Sequence, residues 1–285
     1  QGMEVGGRLS GVKLLRPVPL WCASSLCARR YDDGFNLTGM DGVSFTYDAN
    51  RLVSAGSRTF TYDGIGARAT DSQGNREFVY DAFGNLVQVN ENGSPIYSCD
   101  YDAFGRRFRE TVGGVTRYFL YDGGVPYAEL GQSGTLLRKF YWGLTGPICQ
   151  RMPSGSNRWY IADAHGNTRA LVDDDGALTD WYTYDAWGNL VASHSTVVND
   201  NPFRWNGSVG YRYIAPTGLY QAGAREYDPS VGRWLQRDPI GMAGGHPNLY
   251  VYCANDPVES ADPAGLPAAP RSLEEGVCGA STSGC

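Results

Sequence analysis

The dipeptide Tyr-Asp recurs along the chain and opens a similar short phrase each time. The clearest copy runs from Tyr80 to Leu86 and has the sequence Tyr-Asp-Ala-Phe-Gly-Asn-Leu. Further copies begin at Tyr31, Tyr47, Tyr62, Tyr101, Tyr121 and Tyr184. The first six copies begin roughly 15 to 21 residues apart. A repeat of this length is typical of an array of small units, each of which buries its apolar face only by stacking on its neighbours.

Each phrase has the pattern of a strand, a turn and a second strand. Aromatic and β-branched residues lead into the tyrosine, as in Phe78-Val79-Tyr80. Asp, Asn and Gly follow, and these residues favour tight turns. A Leu-Val pair such as Leu86-Val87 then begins the next strand. Because no window shows a sustained helical period, we predict an all-β chain of consecutive antiparallel hairpins in one long curved or spiralling sheet.

The tyrosine of each phrase has two possible roles. It can pack as one rung of a ladder between stacked units, or it can belong to a glycan-stacking surface. Packing is favoured because the tyrosines recur with the repeat and not as an isolated cluster. The neighbouring aspartate is favoured as a turn residue over a ligand. A carbohydrate-binding protein that uses exposed aromatics such as Trp181 and Trp187 stays open as an alternative.

Composition narrows the classes of partner. The 285 residues carry a formal net charge of −6 and no basic cluster, which argues against binding nucleic acid through its phosphates. No apolar stretch is long enough to predict a membrane span. The seven cysteines form no CxxC pair and the three histidines are far apart, so we expect neither a metal site nor a cofactor.

The pattern divides the chain into four parts. Residues 1–30 lack the repeat and make a poor signal peptide. Residues 31–158 hold the repeats, and residues 159–266 form a more elaborate and less regular module. Residues 267–285 are rich in Pro, Ala, Ser and Gly, and we expect them to be disordered. A repeat array that ends in an atypical module fits a capped solenoid.

The repeats and the module after them resemble a known family. The phrases resemble the YD (Rhs) repeats of bacterial Rhs proteins and of the C subunits of insecticidal toxin complexes. Residues 159–266 are similar to the Rhs-repeat-associated core domain. The motifs that carry this similarity are Gly218-Leu219-Tyr220, Ala224-Arg225-Glu226-Tyr227-Asp228-Pro229, Gly232 to Gly241, Asn248-Leu249-Tyr250, Asn255-Asp256-Pro257 and Asp262-Pro263-Ala264-Gly265-Leu266.

The resemblance implies both a fold and a role. The fold is a β-sheet shell closed by the core domain. The shell encloses a toxic C-terminal polypeptide, and the core domain cuts the chain after the second Asp-Pro-x-Gly motif and its leucine, which here is the Leu266–Pro267 bond. The implied partners are this C-terminal polypeptide or toxin cargo, and components of a secretion apparatus or a toxin complex. The implied location is secreted or associated with a bacterial cell envelope.

The chemistry of that cut centres on the two Asp-Pro-x-Gly motifs, which begin at Asp238 and Asp262. Such motifs are first of all turns. Two aspartates that face one another in a low-dielectric site share one proton, so one can take a proton from water while the other polarises the scissile carbonyl. The resemblance assigns the supporting cation to Arg225, with Arg233 and Arg237 as alternatives. We therefore expect an intramolecular aspartic protease; the alternative is a non-catalytic structural or interaction module in which the pair is idle.

Overall fold

The computed structural model describes residues 31–196, 201–266 and 269–270. Residues 1–30 and most of the segment 267–285 lie outside the described residues, so the expectations for these segments stay predictions. Within the described ranges the regular structure consists of β-strands and three short 3-10 turns, Gly207–Val209, Gly241–Gly244 and Cys253–Asn255. None of these helical turns has the length and apolar character of a membrane span.

In the described part of the chain, seventeen strands form one large antiparallel sheet in which each strand pairs with the next along the chain. The first nine are β1 Gly39–Met40, β2 Val43–Asp48, β3 Arg51–Ala55, β4 Arg58–Tyr62, β5 Arg68–Asp71, β6 Arg76–Tyr80, β7 Leu86–Glu91, β8 Ser94–Tyr101 and β9 Arg107–Val112. The others are β10 Val115–Asp122, β11 Val125–Gly131, β12 Leu136–Gly143, β13 Gly146–Arg151, β14 Asn157–Ala162, β15 Thr168–Val172, β16 Leu178–Tyr184 and β17 Leu190–Ser195. The prediction of consecutive antiparallel hairpins is confirmed.

A smaller sheet follows the large one. It contains β18 Arg212–Ile214, β19 Leu219–Ala222, β20 Arg225–Asp228 and β21 Arg233–Trp234. Two further short strands, β22 Ser260–Ala261 and β23 Ala269–Pro270, pair with each other. The large sheet is continuous across residue 158, so the repeat-like strands extend to Ser195, whereas the separate sheet begins at Arg212. The domain boundary at 158/159 stays a prediction.

Five of the seven Tyr-Asp turns repeat one set of contacts from the aspartate side chain to the backbone, namely those at Asp32, Asp63, Asp81, Asp102 and Asp185. In the copy that begins at Tyr80, the Asp81 Oδ1 accepts hydrogen bonds from the backbone N–H groups of Phe83 and Asn85, both at 2.9 Å. The Gly84 N–H donates to the Asp81 carbonyl at 3.1 Å, and Gly84 takes the left-handed conformation with φ +85°. The aspartate is therefore a turn residue, as its recurrence predicted.

The tyrosines form a ladder along the sheet. The strand pairing shifts by one residue immediately before the tyrosine, for example between Val79 and Tyr80, and such a bulge turns the ring out of the regular alternation. The Tyr80 hydroxyl then donates to the carbonyl of Arg68, the residue that begins a strand after the preceding Tyr-Asp turn, at 2.9 Å. The same contact joins Tyr47 to Leu37, Tyr62 to Leu52, Tyr101 to Leu86, Tyr121 to Arg107 and Tyr184 to Thr168. These contacts support the packing role.

The smaller sheet packs against the large one through an aromatic core. Leu52 and Phe60 of the large sheet share one buried cluster with Trp205, Tyr227 and Trp234. Burying a large aromatic side chain contributes roughly 1.5–3 kcal/mol, so this cluster is a major source of stability. Residues 201–266, called the core module below, are thus held on the large sheet by apolar contact over several strands.

Trp187 belongs to this core, which corrects the suggestion that it is an exposed aromatic. The side chain is only 4% exposed because the turn at Gly232 packs on its ring. The Tyr227 hydroxyl also donates to the Trp187 carbonyl at 3.0 Å. Trp181 is half-buried. A glycan-stacking surface built on these two tryptophans is therefore wrong for Trp187.

Buried ion pairs fix the register between the two sheets. Asp228 on β20 accepts from Arg68 at 2.6 Å and from Arg58 at 3.2 Å. Its neighbour Glu226 accepts from the fully buried Arg107. Burial alone would raise the pKa of Asp228, but the two guanidinium groups outweigh it and lower the pKa to about 2. A displaced core module would leave these charges buried and unpaired.

Replacing Asp228 with asparagine is expected to lower the free energy of unfolding by about 3 kcal/mol or more at neutral pH, since it leaves buried guanidinium charge without a partner. A carboxylate with a depressed pKa stabilises the fold above its unfolded pKa of 3.8 and loses this contribution as the pH falls through about 2. The wild-type advantage over Asp228→Asn should therefore close between these pH values in urea unfolding experiments.

Asp48→Asn is the matched control. Asp48 pairs with Arg51 at 2.6 Å, but its side chain is 67% exposed. Exposed pairs contribute little, so this change should alter the unfolding free energy by no more than about 0.5 kcal/mol at any pH. Equal effects of the two substitutions would show that the buried pair does not hold the core module.

Candidate functional site

The structure brings Arg225, Asp238 and Asp262 together. Arg225 is the first residue of β20, whereas each aspartate begins a turn outside the strands. The Arg225 Nη2 lies 3.0 Å from the Asp238 Oδ2 and 3.1 Å from the Asp262 Oδ2. The Arg225 and Asp262 side chains are each 2% exposed, and that of Asp238 is 9% exposed. A single buried cation therefore joins the two carboxylates.

In each carboxylate, one oxygen accepts a hydrogen bond within the turn and the other faces Arg225. The Asp262 Oδ1 accepts from the Leu266 N–H at 2.8 Å, and the Asp238 Oδ1 accepts from the Ile240 N–H at 3.0 Å. Both contacts close the Asp-Pro-x-Gly turns, as the sequence suggested. The Oδ2 atoms take no part in these turn contacts and face the guanidinium. Both interpretations of the motif, turn and ionisable pair, thus fit the same two residues.

The carbonyl oxygen at the expected cut lies on the same guanidinium. The Arg225 Nη2 donates to the Leu266 carbonyl at 2.8 Å, and its Nε donates to the Gly265 carbonyl at 2.7 Å. A guanidinium in contact with a carbonyl oxygen polarises it and stabilises negative charge that develops there. Pro267 lies outside the described residues, so the structure gives only the Leu266 side of the bond.

Close backbone contact presses the second turn onto the small sheet. The Ala224 N–H donates to the Ala264 carbonyl at 3.0 Å. Gly265 has φ +62°, and a Cβ there would lie 2.3 Å from the Ala222 carbonyl oxygen and 2.9 Å from the Arg225 nitrogen. Only glycine fits this position, because both conformation and space exclude a side chain. The glycine of the motif therefore sets the distance between the turn and Arg225.

Two aromatic residues that the sequence did not single out complete the site. The Arg225 guanidinium lies over the Trp234 ring, 4.3 Å from its centroid, a cation–π contact that orients the charge. The Tyr211 hydroxyl forms hydrogen bonds with the backbone N–H and carbonyl groups of Asp262. Trp234 stands within the Gly232 to Gly241 motif, which is the one signal that could have identified it. Tyr211 has no such signal, because its partner is 51 residues away.

The two alternative arginines have other contacts. Arg233 donates to the Asn50 carbonyl at 2.6 Å, and its guanidinium lies 4.8 Å from the centroid of the Tyr47 ring. Arg237 is exposed and lies beside Gly66. Of the three candidate arginines, the described contacts place Arg225 on both carboxylates.

The two carboxylates have different surroundings. Burial raises the pKa of Asp262 above its ordinary 3.8, and the negative charge of Asp238 adds to the rise. The Leu266 N–H and Arg225 oppose the rise without cancelling it. Asp238 and Arg225 also line an open cleft of about 390 Å³, which gives water access to the Asp238 side of the pair. Asp262 therefore keeps its proton to a higher pH than an ordinary aspartate, and Asp238 borders the cleft.

Within the described ranges, no group of three or more His, Cys, Asp and Glu side chains has an arrangement that could hold a metal ion. Cys99, Cys149 and Cys253 are buried.

Gly265→Ala tests the contact that presses the turn onto β20. A left-handed alanine costs about 1–2 kcal/mol, and here its Cβ also meets backbone atoms that cannot move aside freely. We expect a loss of unfolding free energy well above 2 kcal/mol in urea titrations. Gly245→Ala is the control, because Gly245 has φ +83° and open space around it, so it should lose only the conformational cost. Equal losses would contradict the close approach.

Comparison with known proteins identifies the family. A family model described as the teneurin YD-shell matches residues 26–258. The tRNA3(Ser)-specific nuclease WapA of Bacillus spizizenii is 35% identical over 253 residues, which are 82% of this chain and 10% of the nuclease. The double-stranded DNA deaminase toxin A of Burkholderia cenocepacia is 28% identical over 266 residues, 84% of this chain and 18% of the toxin. The chain thus spans only a small part of these relatives.

Solved structures share the fold. The crystal structure of TcdB2-TccC3 superposes with a TM-score of 0.60 at 21% identity, over 79% of this chain and 14% of that chain. The Tc holotoxin pore of Photorhabdus luminescens superposes with a TM-score of 0.60 at 20% identity, over 79% and 13%. The similarity to YD and Rhs repeat proteins that the sequence motifs indicated is confirmed: the chain belongs to the YD-shell family.

Proposed function

We propose that this chain is the part of a YD shell that encloses the polypeptide following Leu266, and that it cuts itself after Leu266 by aspartic protease chemistry. The observation that carries the proposal is the contact of one buried atom, the Arg225 Nη2, with Asp238, Asp262 and the Leu266 carbonyl oxygen. Two carboxylates and a polarised carbonyl within reach of one another are the components that hydrolysis of that bond requires.

The proposed reaction assigns one task to each group. The Asp238 carboxylate accepts a proton from a water in the cleft, and the water oxygen bonds to the Leu266 carbonyl carbon. Negative charge moves to the carbonyl oxygen, where Arg225 stabilises it. The carbon–nitrogen bond then breaks, and protonated Asp262 gives its proton to the Pro267 nitrogen. The products are the Leu266 carboxyl group and the Pro267 secondary amine.

The enclosed polypeptide is proposed by analogy with the relatives. The relatives named above are a tRNA nuclease and a DNA deaminase toxin, and this chain matches only a fraction of each. We infer that the polypeptide after Leu266 is a toxic cargo and that the partners of the shell are toxin-complex components. The smaller sheet, buried against the large one, supports a closing function for the core module at one end of the shell.

The first test is the intact mass of the purified chain. The wild type should convert to a chain that ends at Leu266. Asp238→Asn and Asp262→Asn should slow this conversion on the order of a hundredfold or more, since an asparagine cannot carry the proton. Arg225→Ala should slow it less completely, because the arginine stabilises charge and does not transfer the proton.

The control is an aspartate of the same turn type that lies away from the site. The Asp173 Oδ1 accepts from the Asp175 and Ala177 N–H groups, and both acceptor contacts match those of the repeat turns. Asp173→Asn should leave the rate of the cut unchanged. A wild type that keeps its full mass at every pH, or an Asp262→Asn chain that is cut at the wild-type rate, would favour the alternative in which the two aspartates only form turns.

The pH dependence follows from the raised pKa of Asp262. The proposed reaction needs Asp262 protonated, so the rate should fall as the pH rises through its pKa, which lies above 3.8. A mass time course at a series of pH values measures this limb. A rate that does not fall with rising pH would exclude Asp262 as the acid.

A further inference from the structure

The Tyr211 hydroxyl holds Asp262 by its backbone. It accepts a hydrogen bond from the Asp262 N–H at 3.0 Å and donates to the Asp262 carbonyl at 2.8 Å. The Tyr252 hydroxyl lies 3.0 Å from that of Tyr211 and accepts from the Asn206 side-chain amide at 3.1 Å. One side chain therefore fixes both backbone groups of the residue proposed as the acid.

The ring of Tyr211 has little freedom. The residue is 0% exposed, and its ring packs edge-on against Trp205 with the centroids 5.8 Å apart. Burial raises the pKa of Tyr211 well above 10, so the hydroxyl keeps its proton wherever the cut is measured. The two bonds to Asp262 are thus present over the whole working range of pH. Packing of the buried ring holds the Tyr211 hydroxyl, and with it the Asp262 backbone, in one place.

The other aspartate is held differently. The Asp238 N–H donates to the Leu249 carbonyl at 2.9 Å, and its carbonyl accepts from the Gly241 N–H at 3.0 Å. Its backbone is therefore fixed by main-chain atoms of its own turn and a neighbouring segment. Asp262 shares the turn bond, from Gly265 at 3.2 Å, but it depends on a side chain for the rest. A substitution at Tyr211 therefore removes backbone contacts of Asp262 and leaves those of Asp238 in place.

We propose that Tyr211 is a positioning residue for the cut after Leu266. By holding the Asp262 backbone, it keeps the Oδ2 on Arg225 while the Oδ1 holds the Leu266 N–H, so acid and scissile carbonyl share one fixed geometry. This inference rests on the proposed function, because it concerns the same reaction. Misplacing a reacting group by about an ångström slows reactions on the order of a hundredfold, so the hydroxyl has a measurable effect.

Tyr211→Phe is the test. Phenylalanine keeps the ring and removes both bonds to Asp262. We expect the cut to slow by about tenfold to a hundredfold in chain that remains folded by circular dichroism. Loosening the turn also weakens the Leu266 N–H and Arg225 contacts, which lower the pKa of the Asp262 carboxyl, so the pH at which the cutting rate falls should move to higher pH. A purely structural role would lower stability without moving that pH.

Tyr252→Phe is the matched control. It removes a hydroxyl of the same aromatic cluster, one that touches Tyr211 and Asn206 but neither aspartate. The Tyr252→Phe chain should be cut within about threefold of the wild-type rate, and the pH at which its rate falls should not change. A Tyr211→Phe chain that cuts within threefold of wild type, or a Tyr252→Phe chain that is slowed equally, would overturn the inference.

A second measurement separates this inference from the proposed function. Full-length chain that carries Asp238→Asn stays whole, so the titration of the Asp262 carboxyl can be followed by carbon NMR with and without Tyr211→Phe. Addition of Tyr211→Phe should raise the pKa of Asp262, because the contacts with Arg225 and the Leu266 N–H weaken, and addition of Tyr252→Phe should not. Equal pKa values would overturn the positioning role even if the wild type is cut. If the wild type is never cut, the proposed function fails while this comparison still decides whether Tyr211 holds Asp262.

Discussion

The hydrogen bond from each repeat tyrosine to a carbonyl of the preceding unit is the interaction on which the shell depends. It joins units that are separate in sequence, and the bulge before the tyrosine is what allows the ring to reach across. Tyr31, the tyrosine of the first phrase, is 43% exposed, whereas the later ones are at least half-buried. The array is therefore stable only as an array, and its ends need other partners.

The core module supplies such a partner, and charge decides where it sits. The residue whose carbonyl accepts the tyrosine hydrogen bond is leucine in several units, as at Leu52 and Leu86, and lies buried. In two units this residue is arginine, Arg68 or Arg107, and both are 0% exposed. A buried guanidinium is costly unless it is paired, so these two positions accept only a surface that offers carboxylates. Asp228 and Glu226 of β20 meet that requirement, and the same strand begins at Arg225, so the pairing that docks the module also sets the site.

The sequence allowed prediction of whatever depends on local pattern. The hairpins follow from alternation and turn residues within a few positions, and the carboxylate pair follows from two motifs whose order and spacing resemble a family. The burial of Trp187 and the contacts of Tyr211 with Asp262 could not be predicted. Each depends on a partner that is distant in sequence: Trp187 is covered by the turn at Gly232, and Tyr211 contacts a residue 51 positions away. The local sequence around either residue does not predict such contacts.

The site itself is a modified repeat turn. In the turn that begins at Asp81, the Oδ1 accepts from the N–H of Asn85, and the Oδ2 is taken by the Asn85 side-chain amide at 2.9 Å. The turn at Asp262 keeps the first bond, from the Leu266 N–H, but leucine has no amide to give the Oδ2. That oxygen, freed and buried, is left for Arg225. The change from asparagine to leucine at one turn position thus converts a satisfied structural carboxylate into one that is available to an arginine. The leucine that makes the change is also the residue whose carbonyl the arginine holds.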